Sequence, residues 1–183
     1  MKKSMQMIMV LATVGLVSGA SLVGVYNYAA PRIERNKQNE RNAALKKVVP
    51  AAERFEAFSK DGMDLYKGLD ASGRVVGYAF QAEGNGYAGI IELMAGIDAD
   101  LTKLIGIEII ASIETPGLGD KIRQADFRSQ FESLSVLPEI VYTKGKATEP
   151  NEIQAITGAT ISSRSIVAIL NARIEEIRKA FNK

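Results

Sequence analysis

The stretch AGIIELMAGIDADLTKLIGIEIIASIE, residues 88–114, decides the fold. It holds two apolar runs, AGIIELMAGID at 88–98 and LTKLIGIEIIASIE at 101–114, on either side of the polar DAD at 98–100. β-Branched residues dominate and amphipathic-helix spacing is missing, so the runs predict two strands joined by a turn. Before them, DLYKGLDASGRVVGYAFQAEG at 64–84 predicts another strand pair, joined at Asp70–Gly73 where Asp, Ser and Gly supply turn residues. After them, DKIRQADFRSQFESL at 120–134 predicts a short helix and EIVYTKG at 139–145 a further strand. Ile166, Leu170, Ile174, Ile177 and Phe181 then recur at spacings of four, four, three and four, which predicts a closing helix. A run of strands followed by helices predicts an α+β domain with a mainly antiparallel sheet. There is no internal repeat and no low-complexity tract.

Composition excludes several chemistries. The 183-residue chain has no Cys and no His. Thiolate nucleophiles, the usual iron–sulfur ligands, His-ligated haem or zinc and a Ser-His-Asp triad are therefore absent. No catalytic residue and no metal-ligand set is assigned. Redox work by this chain needs an organic cofactor. A formal net charge of +2, without a basic surface bearing aromatics, gives no sign of nucleic-acid binding.

The chain begins with a span. No charged residue occurs between Ser4 and Pro31, Lys2 and Lys3 precede the segment, and Tyr26 and Tyr28 sit at its far end, where amphipathic rings favour an interface. Roughly 20 apolar residues cross a bilayer as helix. The apolar run passes Ser18 and Ala20, a small-x-small cleavage pattern, and reaches Val25, which favours an uncleaved anchor over a signal peptide. Gly15 and Gly19 form a GxxxG pair suited to close approach by another membrane helix. Three segments follow: an anchor at 1–31, a charged helical stalk at 32–50 acting as a spacer, and a domain at 51–183. Arg32, Arg35 and Lys37 after the span lean toward a cytoplasmic domain by positive charge count.

Three glycine-bearing motifs lie in the domain. GNGYAG at 84–89 satisfies G-x-G-x-x-G, with Glu108 at a distance suited to a ribose ligand. IIELMAG follows, with a turn arriving too soon for the helix a dinucleotide site requires, so a glycine-rich β connection carrying Tyr87 is expected instead. ETPGLGD at 114–120 places Pro116, Gly117 and Gly119 just after a strong strand, where backbone amides can fold around a ligand or simply form a surface turn. TGATISS at 157–163 stands at the mouth of the last helix, a favourable place for phosphate. Ser162 or Ser163 is expected to cap that helix, and Gly158 and Ala159 to leave room beside Thr160.

TGAT at 157–160, ETPGLGD at 114–120, GYAG at 86–89 and the single N-terminal span, in this order, resemble the family of FMN-binding G subunits of the Rnf ion-translocating electron transport complex. They are also similar to the C subunits of the sodium-translocating NADH:quinone oxidoreductase. The resemblance covers the whole chain. It implies FMN bound covalently through its phosphate to Thr160, attached by a dedicated flavin transferase. It implies that Thr157, Gly158, Ala159, Ser162 and Ser163 surround the attachment point, and that Glu114, Thr115, Pro116, Gly117, Leu118 and Gly119 line the flavin with Tyr87. Lys121 after the loop is a candidate for favouring reduced anionic flavin, or a solvated lysine. The implied role is an electron relay without a complete active site of its own, between ferredoxin and NAD and coupled to sodium or proton movement, among other membrane proteins of the complex. The implied domain faces outside the cytoplasm, against the charge count. Two readings from other classes stay open: a tethered assembly protein without cofactor, and an extracytoplasmic ligand-binding domain.

Overall fold

The computed structural model describes residues 2–182. Contacts divide the chain into two units, before and after the boundary between Glu40 and Arg41. The described residues of the first unit lie within helix α1, which as an element runs Lys2–Val48. It contains a window of mean hydropathy 2.2, none of it buried by protein, long and apolar enough to cross a membrane. The helix continues through Pro31 without a break. One turn apart, the Arg32 guanidinium lies 4.0 Å from the centre of the Tyr28 ring.

The second unit is built on a five-stranded sheet in chain order, each strand antiparallel to the next: β1 Arg54–Lys60, β2 Met63–Leu69, β3 Val75–Asn85, β4 Ile90–Ile97 and β5 Leu104–Ser112. The four strands expected from 64–114 are all present. β1 was not anticipated, because four of its seven residues are exposed and no apolar alternation marks it. Its signal was the turn: Asp61 and Gly62 both take positive φ, 49° and 77°, the two-residue hairpin that Asp-Gly favours. At Asp70 the expected turn forms. Ser72 and Arg74 donate hydrogen bonds to its carboxylate and hold it below the usual carboxylate range.

Beyond the sheet, the expected helix over 120–134 is three short pieces: 3₁₀ turns at Gly119–Arg123 and Ser129–Phe131 around α2, Ala125–Arg128. Gln124, with extended backbone at φ −72° and ψ 148°, interrupts it. The strand expected at 139–145 is β6, Val141–Thr143, paired in parallel with a three-residue β7, Glu152–Gln154, that sequence periodicity is too short to reveal. The closing helix α3 runs Thr160–Ala180. Its Ile166, Leu170, Ile174 and Ile177 pack with Leu65, Phe80, Leu93 and Ile107 on one face of the sheet. Phe181, partly buried, meets the Tyr78 ring edge-on with centroids 5.1 Å apart.

The other face is covered as well. Ala44, Leu45 and Val48 at the end of α1, with Val49 and Ala52, form a second core against Ala79 and Met94. The end of the segment expected to be a bare spacer is therefore part of the domain. Glycines make the seat. Gly68 lies opposite Gly77, and Gly96 opposite Gly106. A Cβ at Gly68 would stand 3.0 Å from Ala52 Cβ and one at Gly77 2.7 Å from Ile105 Cδ1. At Gly96 it would overlap the Val48 carbonyl. Lys47 Nζ adds an ion pair to Glu108 at 2.8 Å, and Arg128 lies on the other Glu108 oxygen.

Gly96→Ala should lower unfolding stability by about 1–3 kcal/mol, because the Val48 backbone must shift. Gly106→Ala, where nothing lies within 4 Å of the added carbon, should change it by less than about 0.5 kcal/mol. Urea unfolding of the two variants side by side checks this; equal losses would refute the seat.

Candidate functional site

Three segments distant in sequence meet at one end of the sheet. The first is the β3–β4 connection. Gly84 and Asn85 end β3, and Gly86 donates its N–H to Gly89 O at 2.7 Å. β4 then starts at Ile90. GNGYAG is thus a hairpin turn that opens no helix, as expected, and Glu108 serves an ion network. The second segment leaves β5 through Ile113 and Glu114 into a tight loop. In it, Leu118 and Asp120 donate N–H groups to Thr115 O at 3.1 and 3.2 Å, and Gly117 takes φ 76°. The third is the approach to α3, in which Gly158 takes φ 83° and Ala159 is the N-cap residue.

Glu114 ties the three together. It is 5% exposed. Its Oε1 accepts hydrogen bonds from the Tyr87 and Ala88 amides at 2.6 and 3.1 Å, and its Oε2 accepts one from Ser162 Oγ at 2.8 Å. Two glycines are fixed by this group. A side chain at Gly86 or Gly119 would run into the Glu114 carboxylate, and one at Gly119 would also stand 2.8 Å from Ser162 Oγ.

The serines do not cap the helix. α3 starts at Thr160, two residues earlier than the expected caps, and its N-cap makes no side-chain hydrogen bond. Ser162 is spent on Glu114. Ser163 Oγ accepts the Ile156 N–H at 3.0 Å and donates to Ala159 O at 3.1 Å, which pins the TGAT turn against the helix. The first intrahelical bond runs from Ser163 N–H to Ala159 O. The amides of Thr160, Ile161 and Ser162 therefore precede the helical ladder.

A cleft of about 370 Å³ lies between the segments. Tyr87, Glu114, Thr115, Leu118 and Gly119 line one side, and Gly158, Ala159, Thr160, Ile161 and Ser162 the other. Among the residues singled out from the sequence, Pro116, Gly117 and Ser163 do not line it: the first two sit on the exposed outside of the loop and Ser163 lies buried behind the turn. Thr157 and Lys121 line a separate cleft of about 550 Å³ with Gln124, Gln130 and Lys146. Ile161 was missed in the sequence. It is 44% exposed and off the buried stripe of α3, an apolar residue with no core to fill. With Leu118 at 48% and Tyr87 at 67% exposed it makes an apolar rim on the cleft.

Residues 86–175, which contain all three segments, match the FMN-binding domain family. The class is thus a domain that binds FMN, carried by a chain with one candidate membrane span. The G subunit of the ion-translocating oxidoreductase complex of Methanosarcina acetivorans is 30% identical, with 96% of this chain and 95% of that protein covered. The G subunit of the Na(+)-translocating ferredoxin:NAD(+) oxidoreductase complex of Acetobacterium woodii is 35% identical, with 91% and 88% covered. The chain belongs to the family formed by the G subunits of ion-translocating oxidoreductase complexes. In fold it resembles NqrC of Shewanella oneidensis, with a TM-score of 0.56 at 18% identity over 69% of this chain and 67% of that one.

Ser163→Ala should cost about 1–3 kcal/mol, because it leaves the Ile156 N–H without its acceptor. Thermal unfolding measures the loss; an unchanged transition would show that the turn does not depend on this hydroxyl.

Proposed function

We propose that the chain is an electron relay within a membrane complex that couples ferredoxin:NAD electron transfer to ion movement, and that its FMN is bound covalently through the phosphate to the Thr160 hydroxyl. One observation carries the site: Thr160 opens α3 inside the cleft, beside amides that lie ahead of the helical ladder. The positive end of a 21-residue helix with no acidic residue in its first turn favours a phosphoryl group there. Gly158 and Ala159 offer no bulk against it. The apolar rim of Tyr87, Leu118 and Ile161 suits a flat aromatic ring, and Thr115 supplies a hydroxyl. The residues present therefore fit FMN.

When bound, FMN supplies electron transfer in one- or two-electron steps. The chain's own part is to hold the phosphate at the helix mouth, orient the ring along the rim and leave it reachable. With no His in the chain, no imidazole base is at hand for the Thr160 hydroxyl, so a separate flavin transferase makes the bond. The relatives' names support the assembly, since each belongs to an ion-translocating oxidoreductase complex. The domain is read as extracytoplasmic by family resemblance. A long translocated domain can override the five basic residues at 2, 3, 32, 35 and 37 that flank the span.

Co-production with a flavin transferase should give a fluorescent band on a denaturing gel, and Thr160→Ala should abolish it. A band that persists in the variant moves the attachment elsewhere, and a native intact mass equal to the bare chain favours a cofactor-free assembly role. A reporter fused to the C-terminus that works only outside the cytoplasm should be active; activity of a cytoplasm-only reporter instead would reverse the sidedness.

A further inference from the structure

The cleft holds one carboxylate and no cation. Glu114 is the sole acidic or basic side chain among its lining residues apart from the Tyr87 phenol, and it makes no ion pair among the described residues. Lys121 lines the neighbouring cleft, and Arg123 is spent on Asp120 and the carbonyls of Ile109 and Ser112. Two amides and one hydroxyl are what hold Glu114, at 5% exposure. A carboxylate at 5% exposure with no ion-pair partner among the described residues is screened less than a surface charge. A tether between loops would need only a neutral acceptor; an unpaired charge is more than the architecture requires.

We propose that Glu114 is a positioning residue that lays a fixed negative charge against the flavin site and holds bound FMN at low reduction potential. The inference rests on the reading that FMN occupies this cleft. Two-electron reduction adds two electrons and one proton, at N5, and leaves one negative charge shared by N1 and the C2 carbonyl. A like charge nearby disfavours that anion, so reduction needs a stronger donor. The charge comes from a residue whose place is set by the Tyr87 turn and the first turn of α3, so it stays fixed relative to Thr160.

The test is spectroelectrochemical titration of the full chain in detergent, with FMN attached by a flavin transferase. In Glu114→Gln the side-chain oxygen still accepts from the Tyr87 and Ala88 amides, and the Ser162 hydroxyl can turn to accept from the new NH₂. The variant should load flavin, and its midpoint potential should move to more positive values. Ser162→Ala keeps the carboxylate and removes the dipole that offsets it, so its potential should move to more negative values. Loosening of the cleft alone would move both the same way. Shifts of the same sign, no shift in either, or a folded Glu114→Gln chain that takes no flavin would overturn the proposal. The reading of the site fails separately, if wild type acquires no flavin or Thr160→Ala still does.

Discussion

Three hydrogen bonds to one buried carboxylate set the geometry of the site. Glu114 follows β5 and is pulled inward by the amides of Tyr87 and Ala88 and the hydroxyl of Ser162. Burying a carboxylate without such partners would cost several kcal/mol, so its position is over-determined rather than incidental. The consequences run outward. Gly86 and Gly119 must lack side chains because the carboxylate occupies their Cβ positions. The Tyr87 turn and the first turn of α3, 73 residues apart as measured between Tyr87 and Thr160, are brought to one cleft. Ser162 is taken up by the carboxylate, and the helix N-cap makes no side-chain hydrogen bond.

The sheet beneath the carboxylate is braced from both sides. Both faces are packed, one by α3 and the other by the end of α1 and the Val49–Ala52 segment. Double coverage explains the composition of β4, where six of eight residues are buried and strict polar–apolar alternation is lost. It also explains glycines that a single-faced sheet would not need. Gly68, Gly77 and Gly96 let backbone and small side chains settle onto the strands, and Gly96 meets the Val48 carbonyl itself.

The fold was legible where residues repeat a pattern long enough to see. Ile107 and Ile109 announce β5, and Ile166 to Ile177 announce α3. β1 hid because an edge strand with Arg54, Glu56 and Lys60 on it has no continuous core face to advertise; only its Asp-Gly turn speaks for it. The helix expected at 120–134 failed because Ile122, Phe127 and Phe131 fill the core from three separate short turns, with Gln124 in extended backbone between the first two. At the site, the glycine loop and the TGAT turn were visible as motifs. The true work of the serines was not: Ser162 bonds to a residue 48 positions away, brought close only by tertiary folding, and Ser163 to Ile156 and Ala159 in the turn before the helix.

The cleft's openness and the proposed covalent bond support each other. A site that must exchange electrons with other proteins cannot enclose its ring, and here Tyr87, Leu118 and Ile161 remain exposed. A volume of about 370 Å³ is near the lower end for clefts that retain a ligand of this size by burial, roughly 300–1,000 Å³. Non-covalent affinity would then rest on a phosphate at a helix end and one face of a ring. The proposed phosphoester at Thr160 would remove that demand: retention would no longer depend on burial, and the surrounding residues would be free to orient the ring and shape its potential. On this view the exposed rim and the buried charge of Glu114 are parts of one arrangement, a flavin held by its tail and presented by its ring.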